Sequence, residues 1–565
     1  MRPTLTTFLL FFLLLLFYIA TLQPSLAWGD GIRLQREVIS AESFILAEMV
    51  DVSFAPDPLP FARLGVAAWD HPLYVILGHL FVQWTPGADP LWLVNFISAL
   101  CGAATITLFY LWLRRHLKQQ VSALLAALAL AVSHTFWWHS VTPEVYTLFT
   151  FLLLLSIFFF DLYERSGREI YLLASICILG LNAANHLLAF LVLPGWLLYA
   201  IMRMRTKTES ADRDRKGCAL YLYLSSLSFQ TSFLPTPRQL MIMAAAFLVG
   251  FSPYLVQLLR LLRTFPVSEV LGPAIGATFL RGSLSLHPEA LLKSAILYFV
   301  FLFYQFGLVG VVLGVYGWWH GRWHSRRFWH AALALYTVYV LFGLVYQVAD
   351  QFAFFLAAHL FWAAAVGLGV AKLATVRRRH HYLLAAALAL QIGIMPALYQ
   401  VMPDALRSIG VDEEDVGIPT VGTDVRDGLN YYLNPNKRGD RSAYLFGSET
   451  MRQLPQNAAV IAHWYIDTDE YFVLRFFKTI EGKRPDVTVV GWPTLDPFDF
   501  NSDMAVRTIA TAVESRPVYI ASLSKSFYDA GRLVEVYCIV PEANLYRLYH
   551  RSPANSDTCL KESSE

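Results

Sequence analysis

A mainly α fold is predicted: a polytopic membrane bundle of about eleven spans, followed by a C-terminal extracytoplasmic α/β domain. Three observations predict it. Apolar residues make up 56% of the 565 and charged residues only 15%, against about 25% charge in an ordinary soluble domain. The apolar residues fall in runs of the ~20 residues that a helix needs to cross a ~30 Å hydrocarbon core. Past Pro403 charges, Gly, Pro and turn residues return. This balance excludes a soluble enzyme and a disordered chain. A net charge of +2 offers no field for DNA or RNA, so no nucleic-acid partner is expected.

The runs lie at 5–22, 91–113, 121–138, 146–163, 170–202, 239–262, 291–319, 329–348, 352–373 and 382–399. The fifth is too long for one span and carries Asn182, Asn185 and His186 in its middle, so it divides there into two. Loop charge tests this parse, because Lys and Arg favour the cytoplasmic side. With the N-terminus inside, the inside connections hold Arg114, Arg115 and Lys118, then Arg165 and Arg168, then Arg203–Lys216, Arg322–Arg327 and Arg377–Arg379. The segment 218–237 is Ser- and Thr-rich and reads as interfacial. A second reading of the first run is a cleaved signal peptide, with Ser25-Leu26-Ala27 as its small-residue site. The chain divides into a transmembrane domain, 1–402, and an extracytoplasmic domain, 403–565. The expected address is the inner cell membrane.

The first outer loop, 23–90, is too long for a mere connection. Val38, Ala41, Ile45, Met49 and Val52 recur at helical spacing, predicting an amphipathic helix on the membrane surface. The apolar segment 72–84 is too short to span easily and predicts a second juxtamembrane helix. In the tail, 458–462, 487–490, 518–521 and 534–540 read as strands, with helices at 470–480 and 502–514 between them. Cys538 and Cys559 are the only two cysteines of the tail, and pairing or two free thiols are both open.

Ionisable and polar groups gather at the side opposite the basic loops. Asp30 follows the first span, and Trp28 and Arg33 flank it. His71 ends the outer loop, and His139, Glu144 and Tyr146 sit about the turn between spans three and four. Asn182 and His186 lie at the next outer turn, Asp350 and Gln351 at another, and Arg281 in a third outer connection. Each has a bland reading as a helix cap or a solvated side chain. Together they read as one polar cavity at the outer surface. No nucleotide-binding or HExxH motif is present. Energy for group transfer there would have to arrive on an activated lipid, and a sugar on a polyprenyl phosphate fits. Asp30 is then the candidate general base and Glu144 its catalytic partner. His71, His186, Arg33 and Arg281 are candidate phosphate partners.

Several stretches carry a resemblance: WGD at 28–30, HPLY at 71–74, VNFISAL at 94–100, FWWHSVTPEVYTL at 136–148, GLNAANH at 180–186, YQVADQFAFFLAAHL at 346–360 and GKRPDVTVV at 482–490. In these the chain resembles the GT-C superfamily of integral-membrane glycosyltransferases, and within it a bacterial family related to the endoplasmic-reticulum protein O-mannosyltransferases. The resemblance implies a GT-C-like bundle and a catalytic Asp just after the first span, which Asp30 matches. It also implies inverting transfer of a mannose-like sugar from a polyprenyl-phosphate donor to a protein, lipid or glycan acceptor. The loop lacks the Asp-Glu pair of the better-known O-mannosyltransferases, and Pro72-Leu73 stands where relatives often carry two prolines. Metal use is left open between none and a divalent ion such as Mg or Mn. The tail DxD, Asp467-Thr468-Asp469, reads as a helix cap. A transporter or flippase of lipid-linked saccharide would instead place its site at midplane in repeated halves. A non-catalytic scaffold would leave Asp30, Glu144 and Asp350 without a shared cavity.

Overall fold

The computed structural model describes residues 3–41, 71–199, 201–202, 236–264, 266–274, 283–320, 326–348, 350–376, 378–418, 420–463, 469–492, 509, 512–523, 530–552 and 559–560. Arg281, the Ile45–Val52 part of the first loop, Asp467 and nearly all of the 502–514 helix lie outside the described residues.

The membrane part begins with α1 (Pro3–Ala20), α2 (Asp30–Ser40), α3 (Pro72–Trp84) and α4 (Pro90–Leu117). It continues with α5 (Gln120–Ala131), α6 (His134–Val141), α7 (Tyr146–Ser166) and α8 (Glu169–Asn185), then α9 (Leu187–Tyr199). There follow α10 (Pro237–Thr264), α11 (Val267–Ala274), α12 (Pro288–His320), α13 (Arg326–Val345), α14 (Gln351–Phe354), α15 (Leu356–Val376) and α16 (Arg378–Ser408).

Every expected span is helical, but the count of eleven is not met by length. Among the described residues, seven helices (α4, α7, α10, α12, α13, α15 and α16) are long and apolar enough to cross a membrane. The pair α5 and α6, bent by 63°, makes up to eight, while α1, α8 and α9 are shorter. The bend falls where Ser133 Oγ donates to the Leu130 carbonyl and ends the first segment. His139, expected in a turn, therefore sits on α6.

Small residues let the helices approach. Where α8 crosses α10, a Cβ added to Gly180 would lie on the Phe247 carbonyl, and one added to Gly250 on the Cys177 carbonyl. Gly317 and Gly369 do the same for α12 and α15. Without a hydrophobic drive between helices in lipid, such close packing is what holds them. α12 breaks at Gly307, whose φ of 56° suits glycine. Gln391 of α16 repairs the gap: its amide donates to the Phe306 carbonyl and accepts the Val309 N–H.

α3 coincides with the expected second juxtamembrane helix. α2 overlaps only the start of the expected amphipathic helix and ends where Ala41 turns left-handed with φ 56°, and the rest of that expected helix lies outside the described residues. The last bundle helix runs to Ser408, past the compositional change at Pro403.

The tail adds α17 (Gly428–Leu433), α18 (Ser442–Gln453), α19 (Asp469–Thr479) and α20 (Ala530–Val536) around β1 (Ala459–His463), β2 (Thr488–Trp492), β3 (Val518–Ile520), β4 (Tyr537–Glu542) and β5 (Leu545–His550). The sheet order is β2-β1-β3-β5-β4. β1 pairs parallel with β2 and β3, and β5 pairs antiparallel with β3 and β4. The fourth strand begins at Tyr537 rather than 534, because 530–536 is helical. The β4–β5 hairpin turns on Ala543 and Asn544, with φ of 56° and 63°, the two-residue turn whose twist suits adjoining strands. Cys538 and Cys559 form a disulfide.

The tail is not a separate globule. One apolar core joins Leu26, Trp28 and Ile32 of the first loop, Trp138 of α6, and Tyr431, Phe446 and Phe472 of the tail. The exposed carbonyls at the end of α17 find donors in the bundle: Trp138 Nε1 on Tyr431, His134 Nε2 on Tyr432 at 2.8 Å, and Tyr304 on Leu433 at 2.6 Å. Lys437 is buried beside them, its Nζ 4.1 Å from the Tyr431 ring centre and donating to the Asn434 carbonyl. Burial pushes its ammonium down to about 7.

Candidate active site

The first loop is stitched down by amides. Gln35 accepts the Ala27 N–H at 3.0 Å and donates to Asn95 Oδ1 at 2.8 Å. Asn95 in turn donates to the carbonyls of Gln23 and Ser25. Gly29 then takes φ 66° and ψ −145°, a conformation closed to L residues, and turns the chain into α2. A Cβ on Gly31 would stand 2.9 Å from Pro143 Cγ. The first turn of α2 is thus pressed onto the turn that holds Glu144, and Asp30 comes within electrostatic reach of it.

The two carboxyls have opposite surroundings. The Asp30 side chain is 55% exposed and pairs with Arg33 at 3.6 Å. Arg33 also faces Glu37 at 3.8 Å. Glu144 is 9% exposed, and Ser98 both accepts its N–H and donates to its carbonyl. Burial, then the charges of Asp30 and Asp350, push the Glu144 carboxyl well above the usual carboxylate range, with Arg33 opposing.

Around this pair the aromatic groups are linked ring to ring. His71 caps α3, and its Nδ1 lies 2.6 Å from the Asn185 carbonyl. Burial, then the Arg33 charge, push its pKa down to about 3. The His71 ring stacks on His186 at 5.2 Å, and His186 meets Tyr146 at 5.3 Å. The Tyr146 hydroxyl donates to Asp350 at 3.5 Å, and its ring meets His139 edge-on at 5.0 Å. The Asn185 amide donates to the Val145 carbonyl and ties the end of α8 to the Glu144 turn.

Asp30, Arg33, His71, His139, Glu144, Tyr146, His186 and Asp350 therefore gather at the end of the bundle that carries the tail. Three expected residues are placed otherwise. Trp28 is 2% exposed and offers substrate no surface: its indole donates to Ser442 Oγ at 2.7 Å, and its ring lies 5.6 Å from the Arg426 guanidinium. Gln351 spends its amide nitrogen on the Gly343 and Tyr346 carbonyls and on Ser294. Asn182 is buried, with no side-chain partner among the described residues. Gln35, Asn95 and Tyr431, which fix the Asp30 loop, were not singled out from sequence. Asn95 alone gave a signal, as an amide within an apolar run. Among the described residues, no three His, Cys, Asp or Glu side chains are grouped to hold a metal ion.

Residues 70–210 match the family model described as the protein O-mannosyl-transferase TMEM260 N-terminal domain. Over nearly the whole chain, the structure of ArnT from Cupriavidus metallidurans bound to undecaprenyl phosphate is similar, with TM-score 0.51 and 11% identity. That match covers 96% of this chain and 97% of that one. The chain has the GT-C fold. ArnT in the apo state gives the same TM-score of 0.51 at 11% identity, over 96% of both chains. AglB from Archaeoglobus fulgidus, an archaeal oligosaccharyltransferase in complex with an inhibitory peptide and a dolichol-phosphate, is similar at TM-score 0.47 and 12% identity. There the match covers 97% of this chain and 74% of that one. No curated protein matches the sequence.

Proposed function

We propose that this membrane protein is an inverting glycosyltransferase. It moves a sugar, mannose-like, from a polyprenyl-phosphate donor to the hydroxyl of a protein, lipid or glycan acceptor. One observation carries the reading: an exposed carboxylate, Asp30, beside a buried carboxyl, Glu144, whose proton burial and neighbouring charges retain. Two carboxyls with environments that differ so far take different roles. The undecaprenyl phosphate in the ArnT structure of like fold supports a lipid-borne donor.

Asp30 accepts the proton of the acceptor hydroxyl as its oxygen attacks the anomeric carbon. The bond from that carbon to the phosphate oxygen breaks, and the polyprenyl phosphate leaves with the electron pair. A single displacement inverts the anomeric centre. Arg33, paired to Asp30, supplies a cation for the leaving phosphate. Protonated Glu144 adds no negative charge where that phosphate departs. The site opens on the extracytoplasmic side of the inner membrane, with the N-terminus inside. The disulfide of the tail favours that side, because disulfides persist in oxidising compartments.

Membranes containing the full chain, given labelled polyprenyl-phosphate hexoses, are expected to pass label to an acceptor fraction and release the polyprenyl phosphate. No transfer from any such donor, with the protein present and folded, would refute the reading.

The raised Glu144 pKa gives a pH signature. Below it the carboxyl is neutral. Above it a third negative charge appears beside Asp30 and Asp350 and opposes the donor phosphate, so kcat/KM falls on the alkaline side. Glu144→Gln is expected to remove that alkaline limb. Identical pH profiles for the two proteins would withdraw this role for Glu144.

A further inference from the structure

The stacked rings of His71 and His186 carry their protons on different nitrogens. His71 Nδ1 lies 2.6 Å from the carbonyl oxygen of Asn185. A carbonyl only accepts, so this nitrogen bears the hydrogen. His186 Nδ1 accepts the Leu188 backbone N–H at 3.1 Å. That nitrogen is a lone pair, and the ring is neutral with its hydrogen on Nε2. Burial and Arg33 keep His71 neutral too, which leaves its Nε2 as an acceptor.

Both Nδ1 edges face the same short turn, 185–188, so both Nε2 edges face away from it. Neither Nε2 has a hydrogen-bond partner among the described residues, and both rings are partly exposed. The Tyr146 ring stands beside them, 5.3 Å from His186. An acceptor next to a donor does not suit a phosphodiester oxygen, which only accepts. It suits a hydroxyl, which donates to one nitrogen and accepts from the other.

We propose that His71 and His186 form a subsite that reads one hydroxyl of the transferred sugar, His71 Nε2 accepting from it and His186 Nε2–H donating to it. The subsite rests on the glycosyl-transfer reading and adds its specificity. His71 then selects the sugar rather than holding the phosphate. A donor lacking that hydroxyl leaves both nitrogens unpaired, and an ammonium in its place would face the His186 N–H, donor to donor.

Full-length protein in membranes is assayed with undecaprenyl-phosphate mannose, glucose and galactose, and with the 2-, 3-, 4- and 6-deoxy forms of whichever supports transfer. The variants are His71→Asn and His186→Asn. Asparagine keeps a group that meets the backbone, an amide N–H toward Asn185 or an amide oxygen toward Leu188, and removes Nε2 together with the far side of the ring. Wild type is expected to prefer the parent sugar over one deoxy form by on the order of 100-fold in kcat/KM. Each variant should lose about tenfold on the parent sugar and almost nothing on that deoxy form. A loss of equal size on every donor is what a merely structural role gives, and it overturns the subsite while leaving the transfer reading in place. Wild type inactive on all the hexose donors overturns both. Should His71→Asn fail to accumulate, His186→Asn decides the matter by the same comparison.

Discussion

Asp30→Asn is expected to abolish transfer with the protein still folded. The substitution keeps the shape of the side chain and removes its ability to take a proton. General-base catalysis contributes about 10²–10⁴-fold, so the initial rate should fall by on the order of 10³ at equal amounts of extracted protein. Stability should hardly change. The side chain is 55% exposed, its ion pair with Arg33 is long at 3.6 Å, and a carboxylate at a helix N-terminus contributes about 0.3–1 kcal/mol. Asp30→Glu keeps the base but moves it by roughly one methylene. A displacement of about 1 Å costs on the order of 10² in rate, so this variant should fall between wild type and Asp30→Asn. Undiminished transfer by Asp30→Asn, read from labelled donor in membranes, removes Asp30 as the base.

Trp28→Ala is expected to damage both stability and activity, although its side chain touches no substrate. The indole fills the seam between the first loop and the tail. It packs on Phe446 with ring centroids 5.7 Å apart, donates to Ser442 and faces Arg426, while its backbone N–H reaches the Tyr431 hydroxyl at 3.2 Å. Truncating a buried Trp costs about 3–5 kcal/mol. The loss falls two residues from Asp30, so the base loses its placement as well. A lowered melting temperature, faster proteolysis between bundle and tail, and a reduced kcat should appear together. Trp28→Phe keeps the ring face and loses the Ser442 bond, for about 1 kcal/mol. A Trp28→Ala protein that melts like wild type would show that the seam does not carry the tail.

Part of this architecture was legible in the residues themselves. The long apolar run splits where its polar residues suggested. α8 ends at Asn185 and α9 begins at Leu187, because the His186 ring accepts the Leu188 N–H that helix continuation would need. The short apolar segment after His71 is the helix expected of it. The gathering of Asp30, Glu144, His186 and Asp350 at one end followed from span parity. Other features had no local mark. β5 is only six residues long and turns on Ala543 and Asn544 rather than on glycine. The residues that brace the Asp30 loop include Tyr431, 403 positions from its partner Trp28.

The sequence alone determined which segments are apolar enough for lipid, which end of each carries the ionisable groups, and that an α/β unit follows. Those properties depend on local composition and on helical period, which near neighbours fix. Only the tertiary structure decided that Trp28 is an anchor and Gln351 a helix-end brace. It alone decided that first loop and tail share one core, that Glu144 is buried while Asp30 is open, and that the two stacked histidines bear opposite polarity. Burial, charge proximity and tautomer are set by whichever groups meet across hundreds of residues, and no property of a single segment specifies them.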